Sequence, residues 1–465
     1  MALAAPHARA QEGGGVSTPP PPIQVIQPQI NSQTFEGSVA LKTVKPGVLG
    51  LSLEQAIQMG LRHNLGLLLT SQSTHSARGA QLGQLQKLLP SVNGKIVEAE
   101  RETDLEASGL RIPGFPKIIG PYGYTDIRGT LRWSLLDLSS LQNYLAAKHD
   151  FASSKLSVED ARQMVVLTVG NAYLRVIADK SQVTADKAVL ATAKVSLSQA
   201  EDRHSAGTAP KLDVLRAQVD YQTQQQTLIA DESAYEKDKI ALARAIGLPL
   251  AQKFVATERV PFAPLEKMDR AQAVQDALAH RKDLQAMEQK VDAAKHARKA
   301  ATYERLPVVK FEGDYGDIGI NVRKSHGTGN ATGSLDVPIF EEPKLRGDAQ
   351  KAQAQLNEEN AKLSDLRGQI EQDVDDSILD IESSEKQVQV AKSNVALASE
   401  ELKEAQERYS AGVSDNLEVS QAQQALARAD AEYVSSLYAH NVAKLSLARA
   451  MGIAGREYKT YLGGK

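Results

Sequence analysis

Polar and apolar side chains alternate with period two in three stretches of the chain. Val309, Phe311 and Tyr315 point to one face, while Lys310, Glu312 and Asp314 point to the other. Ala331, Gly333, Leu335 and Val337 alternate with Asn330, Thr332, Ser334 and Asp336. Likewise Ile127, Gly129, Leu131, Trp133 and Leu135 alternate with Asp126, Arg128, Thr130, Arg132 and Ser134. Successive side chains of a strand face opposite sides, so each stretch predicts a β-strand with one polar and one apolar face. A half-buried soluble hairpin produces the same pattern on one strand. Charged inner positions repeated over three strands favour a lipid-facing barrel with a water-filled interior. On that reading Leu131, Trp133, Phe311 and Leu335 face lipid. A fourth strand from Ser91 is poorly patterned, and the apolar loop Leu110 to Pro121 is expected to be an extracellular cap.

Between the strands lie long stretches without helix breakers. Leu138 to Ser205 contains no Pro and a single Gly, Gly170, and Lys344 to Ser410 reads the same way. At 1.5 Å rise per residue such a helix is on the order of 100 Å long. Ser52 and Asp269 are good N-caps for shorter helices, with Glu54 in the first turn after Ser52. Pro90 and Pro307 stop the helices that run up to Leu89 and Leu306. After each long helix a turn centred on Gly207 or Gly412 reverses the chain. It leads into a helix of about 35 residues closed by Gly247 or Gly452 as C′. Helices this long must pack as antiparallel coiled coils.

These elements occur twice. Arg203-His204-Ser205-Ala206-Gly207 recurs as Arg408-Tyr409-Ser410-Ala411-Gly412, an offset of 205 that continues ungapped to Leu242–Gly247 against Leu447–Gly452. A second correspondence, at offset 217, pairs Leu61/Leu278, Leu67/Leu284 and Leu89-Pro90/Leu306-Pro307. The chain therefore reads as two copies of one unit, 51–260 and 261–465, behind an N-terminal segment 1–50. In that segment Ala8-Arg9-Ala10 before Gln11 resembles the end of a signal peptide, an Ala-rich tail being the alternative. Glu12 to Val48 is rich in Gly, Pro, Gln and Ser and is expected to be a mobile extension.

Composition narrows the chemistry. The 465 residues are 42% apolar and only 5% aromatic, and a net charge of −3 leaves no nucleic-acid footprint. With no Cys, disulfides, thiolate metal sites and a lipid anchor on Cys are excluded. No run of about 18 apolar residues is available for a membrane-spanning helix. The nine His are scattered without metal-ligand spacing, and no Ser/His/Asp or Cys/His set emerges, so neither metal, cofactor nor catalysis is predicted. Gly327 to Gly333 lacks the Gly-Lys-Ser/Thr ending of a phosphate loop and reads as a turn. The acidic stretch Asp373, Asp375, Asp376, Asp380 and Glu382 reads as a solvated helix face. Four strands cannot close a barrel, for which about eight is the practical minimum. Three copies give about 12 strands, and about 12 long helices to form one tube.

The tandem repeat, the Leu-Pro boundaries and the Arg-x-Ser-Ala-Gly turn followed by Leu-(Asp/Glu)-Val resemble the TolC-like outer membrane efflux proteins. Val337-Pro338-Ile339-Phe340-Glu341 looks like that family's strand-to-helix junction, and Trp133-Ser134-Leu135-Leu136-Asp137 like a looser counterpart. The resemblance runs from Leu51 to about Ile453. It implies a homotrimeric barrel in the bacterial outer membrane, continuous with an α-helical tunnel across the periplasm. It also implies a passive exit duct for a tripartite efflux pump or type I secretion, working with a periplasmic adaptor and an inner-membrane transporter. Carried over by position, Tyr409 and Asp213 are the gate tyrosine and its hydrogen-bonding acid, and Glu418 is the acidic ring at the closed tip. Ser414 replaces the gate arginine and Gln421 a second acidic ring. Gly207, Thr208, Gly412 and Val413 become adaptor-docking tips. The alternatives are a periplasmic coiled-coil adaptor, disfavoured by two hairpin units with only two strands each, and a cytosolic coiled-coil scaffold.

Overall fold

The computed structural model describes residues 35–455, apart from 41–43, 45, 108, 259–261, 266–267 and 415. The signal-like segment and the proline run lie outside the described residues. A short strand, β1 (Leu49–Leu51), is followed by α1 (Leu53–His63), α2 (Leu65–Gln86), β2 (Ser91–Asp104) and β3 (Ile118–Leu136). Then come the 68-residue α3 (Leu138–Ser205), α4 (Lys211–Ile246) and β4 (Phe254–Ala256). The second half repeats the order with α5 (Arg270–His280), α6 (Lys282–Tyr303), β5 (Val308–Gly319) and β6 (Ser325–Asp336). It ends with the 69-residue α7 (Glu342–Ser410) and α8 (Asn416–Ala450). Among the described residues no helix is long and apolar enough to cross a membrane.

Local chemistry sets these boundaries. The Ser52 side chain accepts from the Gln55 N–H at 3.1 Å while Gln55 Oε1 accepts from the Ser52 N–H at 3.1 Å, a reciprocal cap. Asp269 caps α5 through the Gln272 N–H, and Asp137 caps α3 through the Ser140 N–H. α4 and α8 end at Gly247 and Gly452, both at positive φ. There Leu248 and Ile453 donate back to Ala243 and Ala448, each at 2.9 Å. α7 starts two residues before the expected Lys344, because Pro343 is tolerated in a first turn whose N–H groups need no helical partner.

Residues 35–40, placed by composition in the mobile extension, pack along the α1–α2 junction. Val39 N–H donates to His63 O at 2.8 Å, and Leu65 N–H to Gly37 O at 2.9 Å. Phe35 lies where a side chain on Gly66 would stand. The expectation of a mobile extension therefore fails over 35–40, where one aromatic ring and a few backbone bonds fix six residues. β1 pairs in parallel with β4, Leu49 opposite Phe254, tying the entry of the first half to its exit.

The core lies where the short helices meet the long ones. Tyr173 and Val165, Val166 and Val169 of α3 are buried with Ile57, Leu242, Ile246 and Leu445. The Tyr173 hydroxyl donates to Leu51 O at 2.8 Å. Gly170 has a clear reason to be glycine: a Cβ there would sit 2.8 Å from Leu445 of α8. In the second half Ala273, Ala277, Leu284, Ile370, Val374 and Ala450 form the matching cluster. Asp373 pairs with Arg281 at 2.6 Å and Asp375 with Arg270, so these two acids brace α7 against α5 and the α5–α6 junction, while Asp373, Asp376, Asp380 and Glu382 remain exposed as the sequence suggested. Burial of hydrophobic surface and these ion pairs fasten the midsection.

Candidate functional site

The strands form one antiparallel sheet in the order β2-β3-β5-β6. Thr130 faces Asp314, Arg132 faces Glu312 and Lys310 faces Ser334, so the charged positions of three strands share one face. Those charges are paired across the strands. Arg132 Nε donates to Glu312 at 2.7 Å, Lys310 Nζ to Asp336 at 2.5 Å, and Arg128 to both Asp126 (3.1 Å) and Asp314. On the opposite face Trp133 lies against Phe311 and Leu335 against Val309, with Leu131 between Val92 and Gly313. Leu335 is 62% exposed in the single chain. The lower part of β2 joins this scheme, with Val92 and Ile96 on the apolar side and Asn93 and Lys95 on the charged one. Gly327 to Gly333 is not a turn: it lies within β6, opposite Tyr315 and its neighbours, and the β5–β6 connection is at Ile320–Lys324. β2 and β6 are the two edges of the sheet, without a further strand beside them in the single chain.

At the other end of the long helices are two turns of the same construction. Gly207 and Gly412 sit at φ +74° and +72°, the left-handed conformation that glycine adopts without strain. Thr208 N–H donates to Arg203 O at 2.9 Å and Gly207 N–H to His204 O at 2.9 Å. Val413 and Gly412 repeat those bonds to Arg408 O and Tyr409 O at 3.0 and 3.1 Å. Thr208 and Val413 are exposed, Val413 to 71%, beside the exposed Leu212 and Leu215 at the start of α4. Two hairpin tips thus present apolar side chains to solvent.

The residues carried over to a gate lie near these turns, but they are not all in contact. Tyr409 is buried in a cluster with Leu402, Ala405, Val419 and Ala422. Its hydroxyl is buried and has no hydrogen-bond partner among the described residues, so the expected bond from Tyr409 to Asp213 is not formed there. Asp213 is buried in the first turn of α4, 4.0 Å from Arg216. Glu418 opens α8 and lies 3.5 Å from Arg408, an exposed ion pair within its own hairpin. Sequence reasoning passed over Arg203, whose guanidinium lies over the Tyr409 ring at 4.3 Å. It was visible only as a letter of the repeated turn motif.

Among the described residues no group of His, Asp or Glu is arranged to hold a metal ion. The profile of the outer membrane efflux protein family matches residues 120–248 and 273–453, which covers both hairpins and most of the sheet. The chain is similar to the pyoverdine export outer membrane protein OpmQ of Pseudomonas putida, 24% identical over 454 residues and 94% of each chain. It is also similar to the toluene efflux pump outer membrane protein TtgF of Pseudomonas putida, 24% identical over 86% of this chain and 83% of that one. Its fold is that of the Campylobacter jejuni CmeC outer membrane channel, with a TM-score of 0.78 at 16% identity over 90% of this chain and 92% of that one. The adaptor and scaffold alternatives fall with these matches. A sheet with one apolar and one charge-paired face, carried on two pairs of very long helices, is therefore no isolated likeness: the chain belongs to the outer membrane efflux protein family.

Proposed function

We propose that three copies of the chain close a 12-stranded barrel in the outer membrane and stack their helices into a tunnel through the periplasm. The observation that carries this is the pair of open sheet edges, β2 and β6, on strands whose apolar face suits lipid. Unpaired backbone groups cannot be left in a bilayer, so a lone chain is not a viable membrane species. The duct is passive: its inner wall is polar and charge-paired, and the reading assigns it no cofactor and no chemistry. Relatives named for pyoverdine export and toluene efflux favour small-molecule efflux over type I protein secretion. The exposed tips Gly207–Thr208 and Gly412–Val413 are assigned to a periplasmic adaptor, which would link the duct to an inner-membrane transporter. Asp213, Tyr409 and Glu418 are assigned to a gate at those tips. On this scheme 51–260 and 261–465 are the two duct repeats, and residues 35–40 and Leu49–Leu51 belong to the packed body of the first.

Cross-linking in isolated outer membranes is expected to trap trimers, and monomers or dimers alone would refute the arrangement. Leu131→Arg and Leu335→Arg should each cost assembly about 2–4 kcal/mol if near the bilayer midplane. Arg at the inner positions Thr130 and Ser334 should be tolerated. Equal tolerance on both faces would reverse the assignment of inside and outside.

A further inference from the structure

Arg203, near the C-terminus of α3, reaches from the first hairpin to the second. Its guanidinium carbon is 4.3 Å from the centre of the Tyr409 ring, and its Nη1 donates to the Tyr409 carbonyl at 2.5 Å. That carbonyl belongs to the last turn of α7, where the helix dipole is negative, and it shares its acceptor capacity between the Gly412 N–H of the turn and the guanidinium. The cation therefore meets a ring face, a terminal carbonyl and the negative end of a helix together. The same two hairpins are stitched further up by Gln423 donating to Ser196 Oγ at 2.7 Å and Gln424 donating to Asp220 at 3.3 Å. The repeat mate of Arg203 does something else: Arg408 turns back to Glu418 of its own hairpin.

We propose that Arg203 is the positioning residue that latches the tip of the second hairpin to the first in the closed duct. This rests on the gate reading of the tips given above. Any parting of the two tips must strip the guanidinium from the Tyr409 ring and carbonyl. The latch uses the ring and the main chain of Tyr409, while its hydroxyl is left without a partner among the described residues. With Ser414 where the resemblance puts a gate arginine, the cation of this tip is supplied by α3 instead. Cation–π contact and a charge-assisted bond in a half-buried setting are the stronger of the polar contacts available to such a seam.

The test is single-channel recording of the full-length protein in planar bilayers, with heat-resistant oligomer on gels as the check of assembly. Arg203→Met, which keeps the stem and removes the charge, should raise the open population on the order of tenfold. Tyr409→Leu should do the same, the double variant should add little, and Arg203→Lys should restore most of the closed behaviour. Tyr409→Phe, which keeps the ring, should resemble the parent protein. A parent-like Arg203→Met channel, or an opening confined to Tyr409→Phe, overturns the latch while leaving the duct intact. If a variant fails to assemble, the comparison of Tyr409→Leu with Tyr409→Phe decides between ring and hydroxyl. Absence of any channel from the parent protein would instead overturn the duct reading itself, and the latch with it.

Discussion

The two hairpins, α3–α4 and α7–α8, descend from one repeat and share their turns bond for bond, yet their interiors differ. On α3, Asp179 lies near Asp238 of α4, which accepts from Arg175 at 3.1 Å, and Asp186 lies near Asp231 and accepts from Gln182 at 2.9 Å. At the corresponding positions of the second hairpin stand Ser384 with Ala443 and Ala391 with Ser436, all four buried. Burial first, and the facing carboxyl second, push Asp179 up to about 7 and Asp186 up to about 6. At these positions one hairpin thus holds facing carboxyls whose pKa values burial raises, and the other holds small side chains. At the tips the asymmetry runs the other way, with Tyr409 buried on the second hairpin where the first has the exposed His204. Duplication preserved the backbone; the polar chemistry was redistributed between the copies.

The shared turns offer the largest effect. Gly207→Val and Gly412→Val each force a β-branched residue into left-handed geometry, at about 1–2 kcal/mol. Nothing lies within 4 Å of a Cβ on Gly207, so there the cost is conformational alone. Both variants are expected to abolish efflux of a fluorescent pump substrate while trimers still reach the membrane. Efflux that survives at one tip would move docking away from that tip and break the equivalence of the hairpins.

The carboxyl pairs offer a middle effect. A carboxyl whose folded pKa is raised binds more protons folded than unfolded between about pH 4 and its raised pKa, so stability falls as pH rises through that window. The window closes near 7 for Asp179 and near 6 for Asp186. Hydrogen exchange, corrected for intrinsic rates, should therefore be several-fold slower at about pH 5 than at pH 8 in α3–α4, and the slowing should be smaller in α7–α8, where burial raises Asp380 and Asp430 but lowers His440. Asp179→Ser with Asp238→Ala copies the second hairpin into the first and should flatten most of the dependence. A pH response confined to α7–α8 would reverse the comparison. The smallest effect belongs to Glu418→Gln. Three carboxylates on a narrow axis attract cations, but Arg408 stands beside each one. Cation preference in bilayer recordings should fall only modestly, and an unchanged reversal potential would leave Glu418 as an ordinary helix-start residue.

Much of the helical architecture was legible because punctuation marks it. α3 runs from Leu138 to Ser205 as read, between an Asp cap and a Gly turn, and the strand faces followed from period two. Two kinds of feature were not legible. β1 and β4 are three residues each, too short to show any period. In β2 the period fails because Glu98 and Glu100 follow Val92 and Ile96 on one face, and a register shift between Arg101 and Thr103 follows. Glycines of β6 look like a turn in sequence, whereas a Cβ on Gly327 would meet the Tyr315 hydroxyl at 2.9 Å. Tyr409, Asp213 and Glu418 were assigned to the gate by position from the family resemblance, all of them next to the two turns. Arg203 meets Tyr409 across 206 positions of chain, and no local pattern announces such a partner. The buried Lys444 and His440 are similar: both reach the Ala263 carbonyl of the linker between repeats, a contact only the folded chain reveals.

The open edges of the sheet have a genetic consequence. In the proposed threefold assembly every chain supplies one seam and receives another, so a single faulty edge spoils a ring otherwise built of sound chains. Co-expressing equal amounts of parent and an edge-defective variant would leave only about one ring in eight fully sound, given random mixing in a closed cyclic oligomer. Such alleles would act dominantly over a working copy. Substitutions at the periplasmic tips, which leave the ring intact, can be diluted instead of poisoning it.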